Sequence, residues 1–251
     1  MHIFFHHYWF LVLSGFIAGF VDAIAGGGGL ISLPALVFYG VPFPAVLGTN
    51  KLQSVIGTST ASINYYRGGI INLQTVWRGL VWGLVGAVCG TITVNHISDS
   101  FMRYLLPFMM LLILIVNLGS KSFGIIPGKQ RLTENVFFSV FGFILGFYDA
   151  FFGPGTGNFW IISIVYFLGY NFLQASGYSK VLNLKSNLFA LALFMFYGDV
   201  EYKLGLIMAC GQIAGSYLGA KSVLLKGAAF IKPVFTVIVL VNIVVAIYQI
   251  W

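Results

Sequence analysis

Apolar runs of bilayer length recur from one end of this chain to the other, and they limit its fold more than any other feature. Ten can be delimited, at 8–25, 28–40, 44–66, 73–95, 101–119, 134–152, 155–169, 172–197, 203–225 and 230–250. A helix needs about 20 residues to cross the hydrocarbon layer, and all but 28–40 and 155–169 are near that length. Those two cover only about 20 Å at 1.5 Å per residue. Each is therefore a short crossing or a re-entrant half-helix. Charged residues make up 8% of the 251 and apolar ones 59%, against about 25% and about 45–50% in a soluble domain. Such a chain cannot dress a water-facing surface, and the short alternating segments of a β-barrel are missing. The sequence predicts an all-α polytopic membrane protein whose first partner is the lipid bilayer. The net charge of +7 comes from Lys and Arg placed mostly at segment ends, as the positive-inside rule requires. No soluble basic face remains to bind nucleic acid.

The chain is a tandem repeat. Residues 15–29 read GFIAGFVDAIAGGGG and residues 142–156 read GFILGFYDAFFGPGT. A shift of 127 positions carries Asp22 onto Asp149 and Gly26 onto Gly153. Two inserted residues raise the shift to 129, which carries Lys51 onto Lys180, Gly86 onto Gly215 and Gly90 onto Gly219. One transmembrane domain over 1–251 follows, with repeat one at 8–119, a basic linker at 120–132 and repeat two at 133–251. The first segment resembles a signal peptide ending in AIAG. Its second copy is internal, so the first is expected to be a mature helix as well.

Basic residues favour one topology. If the short segment crosses, the repeats make five passes each and are inverted. Arg67, Arg78, Lys121, Lys129, Arg131, Lys221, Lys226 and Lys232 then share one face, leaving Arg103 and Lys203 opposite. A re-entrant segment splits the same residues six to four. The first arrangement agrees better with the positive-inside rule, and inverted repeats place a substrate site at their interface near the midplane. GxxxG spacings such as Gly15/Gly19, Gly86/Gly90 and Gly215/Gly219 allow close helix packing in lipid.

Two features carry chemistry. Asp22 precedes Gly26, Gly27, Gly28 and Gly29, and Asp149 precedes Gly153, Gly155, Thr156 and Gly157. A carboxylate at a helix centre is costly and must face a bundle interior or cavity. Glycines free a helix N-terminus, whose N–H groups and positive dipole end suit an anion. Each aspartate is either a proton carrier or a hydrogen-bond acceptor holding the break in shape. The second feature is a polar stripe headed by lysine. Lys51, Ser54 and Thr58, behind Thr49 and Asn50, repeat as Lys180, Asn183 and Asn187. Spacings of three and four residues put each set on one helical face, a candidate lining for an anion path. The alternative is a lysine reaching for the interface among polar residues that join helices.

Catalytic motifs are missing: no HExxH, GxSxG or P-loop occurs, and the glycines miss the GxGxxG register. Cys89 and Cys210 stand apart, and no metal-ligand spacing occurs, so neither metal nor cofactor is expected. The expected function is a secondary transporter for a small anion, not an enzyme. The alternatives are an anion channel, or a membrane-embedded enzyme or assembly factor. A homo-oligomer is compatible with the sequence.

The paired stretches GFVDAIAGGGGLISLPAL with LGTNKLQS, and GFYDAFFGPGTG with SKVLNLKSN, resemble the TauE/SafE sulfite exporter family, in particular its YfcA-like inner-membrane branch. The resemblance covers nearly the whole chain. It implies a permease of the bacterial cytoplasmic membrane. It also implies a sulfur-containing anion, such as sulfite, thiosulfate or an organosulfonate, usually moved outward. Four-plus-four segment counts are often used for that family, so five passes per repeat is a departure. Pro154 and Thr156 replace two of the four glycines, so the two halves cannot bind identically.

Overall fold

The computed structural model describes residues 2–42, 45–98, 101 and 128–227, with side chains from residue 8 onward. The fifth segment of each repeat (101–119 and 230–250) lies almost wholly outside them. The described residues form helices α1 (His2–Ala25), α2 (Gly29–Phe38), α3 (Ala45–Arg67) and α4 (Leu73–Val94), then α5 (Glu134–Phe151), α6 (Thr156–Ser163), α7 (Phe172–Tyr197) and α8 (Tyr202–Lys226). No strand occurs among these residues. A π-turn over Ile164–Leu168 extends α6. The apolar segments predict these boundaries to within a few residues, except that α1 begins earlier, at His2. Local signals explain several ends. Asn72 caps α4 by accepting from the Gln74 N–H, and Asn171 and Gln174 form a capping box at the start of α7, which satisfies otherwise unpaired N–H groups.

Large apolar side chains cover the outside, and polar side chains gather inside between two apolar core clusters. Trp9, Phe38, Phe196 and Leu225 are exposed, whereas Asp22, Asn50, Lys51, Gln53, Asp149, Lys180 and Gln212 are buried. Lipid contact accounts for this inversion, because polar groups within a span must find their partners inside the bundle. Three helices are long and apolar enough to cross a membrane, over Tyr8–Ala25, Leu73–Val94 and Glu134–Phe151. Helices α3, α7 and α8 match them in length, but polar interior residues dilute their hydropathy.

Contacts fix the helix directions. On α8, Gly211 meets Val12 and Gly219 meets Phe20 of α1, so these two helices run the same way. Helix α3 follows them, with Gly48 against Asp199 and Gly68 against Leu224. Helices α4 and α5 also run together, from Gly79 against Phe138 to Gly90 against Phe147. Helix α7 accompanies α4, since Gly177 meets Ile71 and Leu182 meets Gly79. It opposes α3, because Gly48 meets Phe194 while Lys51 meets Asn187. Two opposed sets result: α1, α3 and α8 against α4, α5 and α7. Short α2 turns back along α1, bringing the Phe38 and Phe10 rings within 5.7 Å.

Glycines make the α1–α8 and α4–α5 seams. A Cβ at Gly215 would collide with the Phe16 carbonyl, and one at Gly86 with that of Phe143. The GxxxG spacing therefore serves packing, as expected. Gly86→Val should lower the melting temperature of detergent-solubilised protein, at a cost of about 1–3 kcal/mol for forced overpacking. Unchanged melting would show that α4 and α5 separate freely.

Candidate functional site

The site is built where the two Asp–Gly breaks meet. Helix α1 ends at Ala25, Gly26 turns with φ +79°, and α2 starts at Gly29. In the other half α5 ends at Phe151, Gly153 and Gly155 take φ +92° and +74°, and α6 starts at Thr156. Such angles are routine only for glycine. The breaks abut: Gly26 packs on the Gly157 backbone, and a Cβ at Gly29 would stand 3.1 Å from the Pro154 Cα. Two helix N-termini, both positive dipole ends, thus face one small cavity.

Two buried ion pairs cross between the repeats. Lys51 on α3 places Nζ 2.9 Å from Asp149 Oδ1 on α5, and Lys180 on α7 places Nζ 3.0 Å from Asp22 Oδ2 on α1. Each lysine also donates to the backbone carbonyl of its partner aspartate. Lys51 makes a further bond of 2.9 Å to Asn187 Oδ1. Ionised, the four side chains sum to zero charge. That balance answers the cost of burying them, since an unpaired charge in a span is far dearer than a paired one.

The cavity encloses about 20 Å³, space for roughly one water. Asp22, Gly26, Gly29, Asn50, Lys51, Ser54, Thr58, Asp149, Gly153, Gly155, Gly157, Asn183 and Asn187 line it. Most residues singled out in the sequence therefore converge here. The others stand behind the wall. Lys180 reaches Asp22 from outside the lining, and the Gly28 N–H approaches Asp22 Oδ1 at 3.4 Å. Gly27 packs beside Asn158. Thr49 accepts from the Glu201 N–H at 2.8 Å, and Thr156 donates to the Gly153 carbonyl at 2.8 Å.

Fixed amides supply donors to the lining. The Lys51 ammonium can only donate, so it holds the Asn187 carbonyl and turns the Asn187 NH₂ elsewhere. Ser32 and Gln53 donate to Asn50 Oδ1 at 2.6 and 2.8 Å, which orients that amide likewise. Ser186 donates to Asp149 Oδ2. Ser32 and Gln212 escape sequence reasoning because each is a single polar residue in an apolar run, and Ser186 because it falls outside the Lys180, Asn183 and Asn187 spacing. The available signal was that polar side chains within a span seek partners in the bundle. Among the described residues no cluster of His, Cys, Asp or Glu is arranged to hold a metal.

A family model described as "Sulfite exporter TauE/SafE" matches residues 11–246. A "Probable membrane transporter protein" of Haemophilus influenzae is 41% identical over 227 residues, covering 90% of this chain and 89% of that one. "Probable membrane transporter protein ORF9" of a Sinorhizobium species is 38% identical over 234 residues, 93% of this chain and 90% of its own length. "Probable membrane transporter protein YfcA" of Escherichia coli is 33% identical over 228 residues, 91% and 85% of the two chains. No solved structure matches the chain.

Proposed function

The chain belongs to the sulfite exporter TauE/SafE family, and from that premise we propose that it carries a small sulfur-containing anion together with a proton across the bacterial inner membrane by alternating access, outward when the cytoplasmic anion gradient outweighs the pH gradient. The reading rests on one observation: two Asp–Lys pairs, each shared between the repeats, face a cavity bounded by two helix N-termini.

Inverted repeats are part of the proposal. They are supported by the opposed directions of α1 and α5, of α3 and α7, and of α4 and α8. Arg67 ends α3 beside Gly68, which meets Leu224 near Lys226, while Lys203 starts α8 beside Tyr8. On the positive-inside rule the Arg67–Lys226 end is cytoplasmic. Each short helix then serves as a crossing that its glycine break completes.

Charge balance suggests the coupling. A neutral quartet in a low-dielectric cavity gives an anion little net attraction. Protonating one aspartate frees one ammonium, and the site then carries a single positive charge that a monoanion neutralises. Proton and anion therefore load together. Transport without leak requires the bundle to open this cavity on one side at a time.

Proteoliposome flux tests this reading. Radiolabelled sulfite, entering as the hydrogensulfite monoanion, should accumulate when the trans compartment is alkaline and should only equilibrate without a gradient. Flux that never rises above equilibration would mean a channel. No flux for any anion on a broad panel would discard transport of small anions.

A further inference from the structure

The repeat relates the two ion pairs, but it does not hold them alike. Asp149 is gripped on both oxygens, by Lys51 on Oδ1 and by the Ser186 hydroxyl on Oδ2. Asn187 steadies Lys51 from the far side, and the Asp149 side chain is 4% exposed. Asp22 has Lys180 on Oδ2, but on Oδ1 only the long approach of the Gly28 N–H at 3.4 Å, and its side chain is 12% exposed. No hydroxyl among the described residues reaches it.

The difference is written in the sequence. The shift of 129 that relates Lys51 to Lys180 makes Gly57 the counterpart of Ser186, so the clamping hydroxyl is missing from one half. A side chain at Gly57 would overlap the amide of Gln212, which fills that space. Gln212 is 1% exposed, and its Oε1 accepts no hydrogen bond. Its own counterpart is Gly83. One half therefore surrounds its carboxylate with donors. The other half lacks that hydroxyl, and its carboxylate is held by one lysine and one long backbone contact.

We propose that Asp22 is the residue that takes up and releases the proton, while Asp149 stays ionised as the fixed partner of Lys51. This rests on the proton-coupled reading above. Few other titratable groups face Asp22. Lys180 does so from α7 and Tyr65 from α3, the latter donating to the Ala23 carbonyl at 2.9 Å. The Lys51–Asp149 pair lies across the cavity. Helices α2 and α6 carry no titratable side chain, and those of α8 stand at its ends or, like Cys210 and Tyr217, on its exposed face. In the step itself a proton from the bathing solution passes through the cavity to an Asp22 carboxylate oxygen. The attraction to Lys180 is lost, and the freed positive charge is matched by one entering monoanion. Release of both to the opposite side restores the pair.

The test uses the full chain in proteoliposomes with radiolabelled sulfite. For wild type, a one-unit pH gradient should drive about tenfold accumulation in a one-to-one symport. Asp22→Asn should accumulate nothing against a gradient, and Asp22→Glu should restore the gradient response. Ser186→Ala, which leaves both ion pairs in place, should still respond. Infrared difference spectra between neutral and acid pH provide a readout independent of flux. One protonated-carboxyl component should vanish in Asp22→Asn and persist in Asp149→Asn. Accumulation by Asp22→Asn, or loss of that component only in Asp149→Asn, overturns the assignment. Wild-type flux indifferent to the gradient overturns the proton-coupled reading instead.

Discussion

Gly26→Ala should largely abolish folded protein, whereas Gly40→Ala should leave it nearly intact. Both glycines have left-handed backbone, with φ +79° and +83°. Forcing alanine into that region costs about 1–2 kcal/mol at either position. What separates them is space. A Cβ at Gly40 meets nothing within 4 Å, but one at Gly26 would overlap the Gly157 backbone. Backbone in a crossing of two helix breaks cannot yield as a flexible side chain would. Overpacking adds about 1–3 kcal/mol, sometimes more, so the total is roughly 2–5 kcal/mol against a stability that is itself only about 5–15 kcal/mol. Gly157→Ala isolates the contact, because Gly157 lacks a positive φ and still collides with Gly26. Melting in detergent and membrane-inserted yield measure all three variants. If Gly26→Ala melts with Gly40→Ala, the two breaks are not in obligatory contact.

The same crossing shows what the sequence could and could not reveal. Span positions were legible because bilayer thickness sets segment length and the chain obeys it, as α4 and α5 do closely. The Asp–Gly breaks were legible because a charge and bare backbone inside an apolar run are expensive and therefore informative. The lysine stripe was legible because Lys51, Ser54 and Thr58 share one helical face. Partnership was not. The repeat equates Asp22 with Asp149 and Lys51 with Lys180, but it is silent on whether a lysine pairs within its own half or with the other. That depends on how the halves dock, which non-local packing decides. Nor could the sequence show that the lysine charges are already answered by aspartates. An anion path was expected from their charge alone, whereas in the fold the lining offers amides and helix ends beside neutralised pairs. The unlike clamps on Asp22 and Asp149 trace to one substitution in the repeat, Gly57 for Ser186, which has meaning only once Ser186 is seen to touch a carboxylate.

Pairing between the repeats leads to the second large effect. Lys51→Met should destabilise the protein by about 3–5 kcal/mol, because it strands Asp149 as a buried charge without its cation. Asp149→Leu should do the same to Lys51. The double variant Lys51→Met with Asp149→Leu should recover most of the loss, since replacing a buried pair by apolar side chains is often neutral. Ser186 then keeps bonds to the carbonyls of its own helix, to Asn183 at 3.1 Å and Leu182 at 3.4 Å, while Asn187 loses its donor, so recovery is incomplete. Sulfite transport should fail in all three, which separates holding the fold from moving the anion. The decisive control is Lys51→Met with Asp22→Leu. Pairing within a repeat predicts rescue there, because both members of that supposed pair are gone. Pairing across the repeats predicts the least stable variant of the set, with Asp149 and Lys180 both left without partners. Thermal melting of the four variants in one detergent decides between the two, and rescue by Asp22→Leu would refute the cross-repeat pairs on which the transport proposal stands.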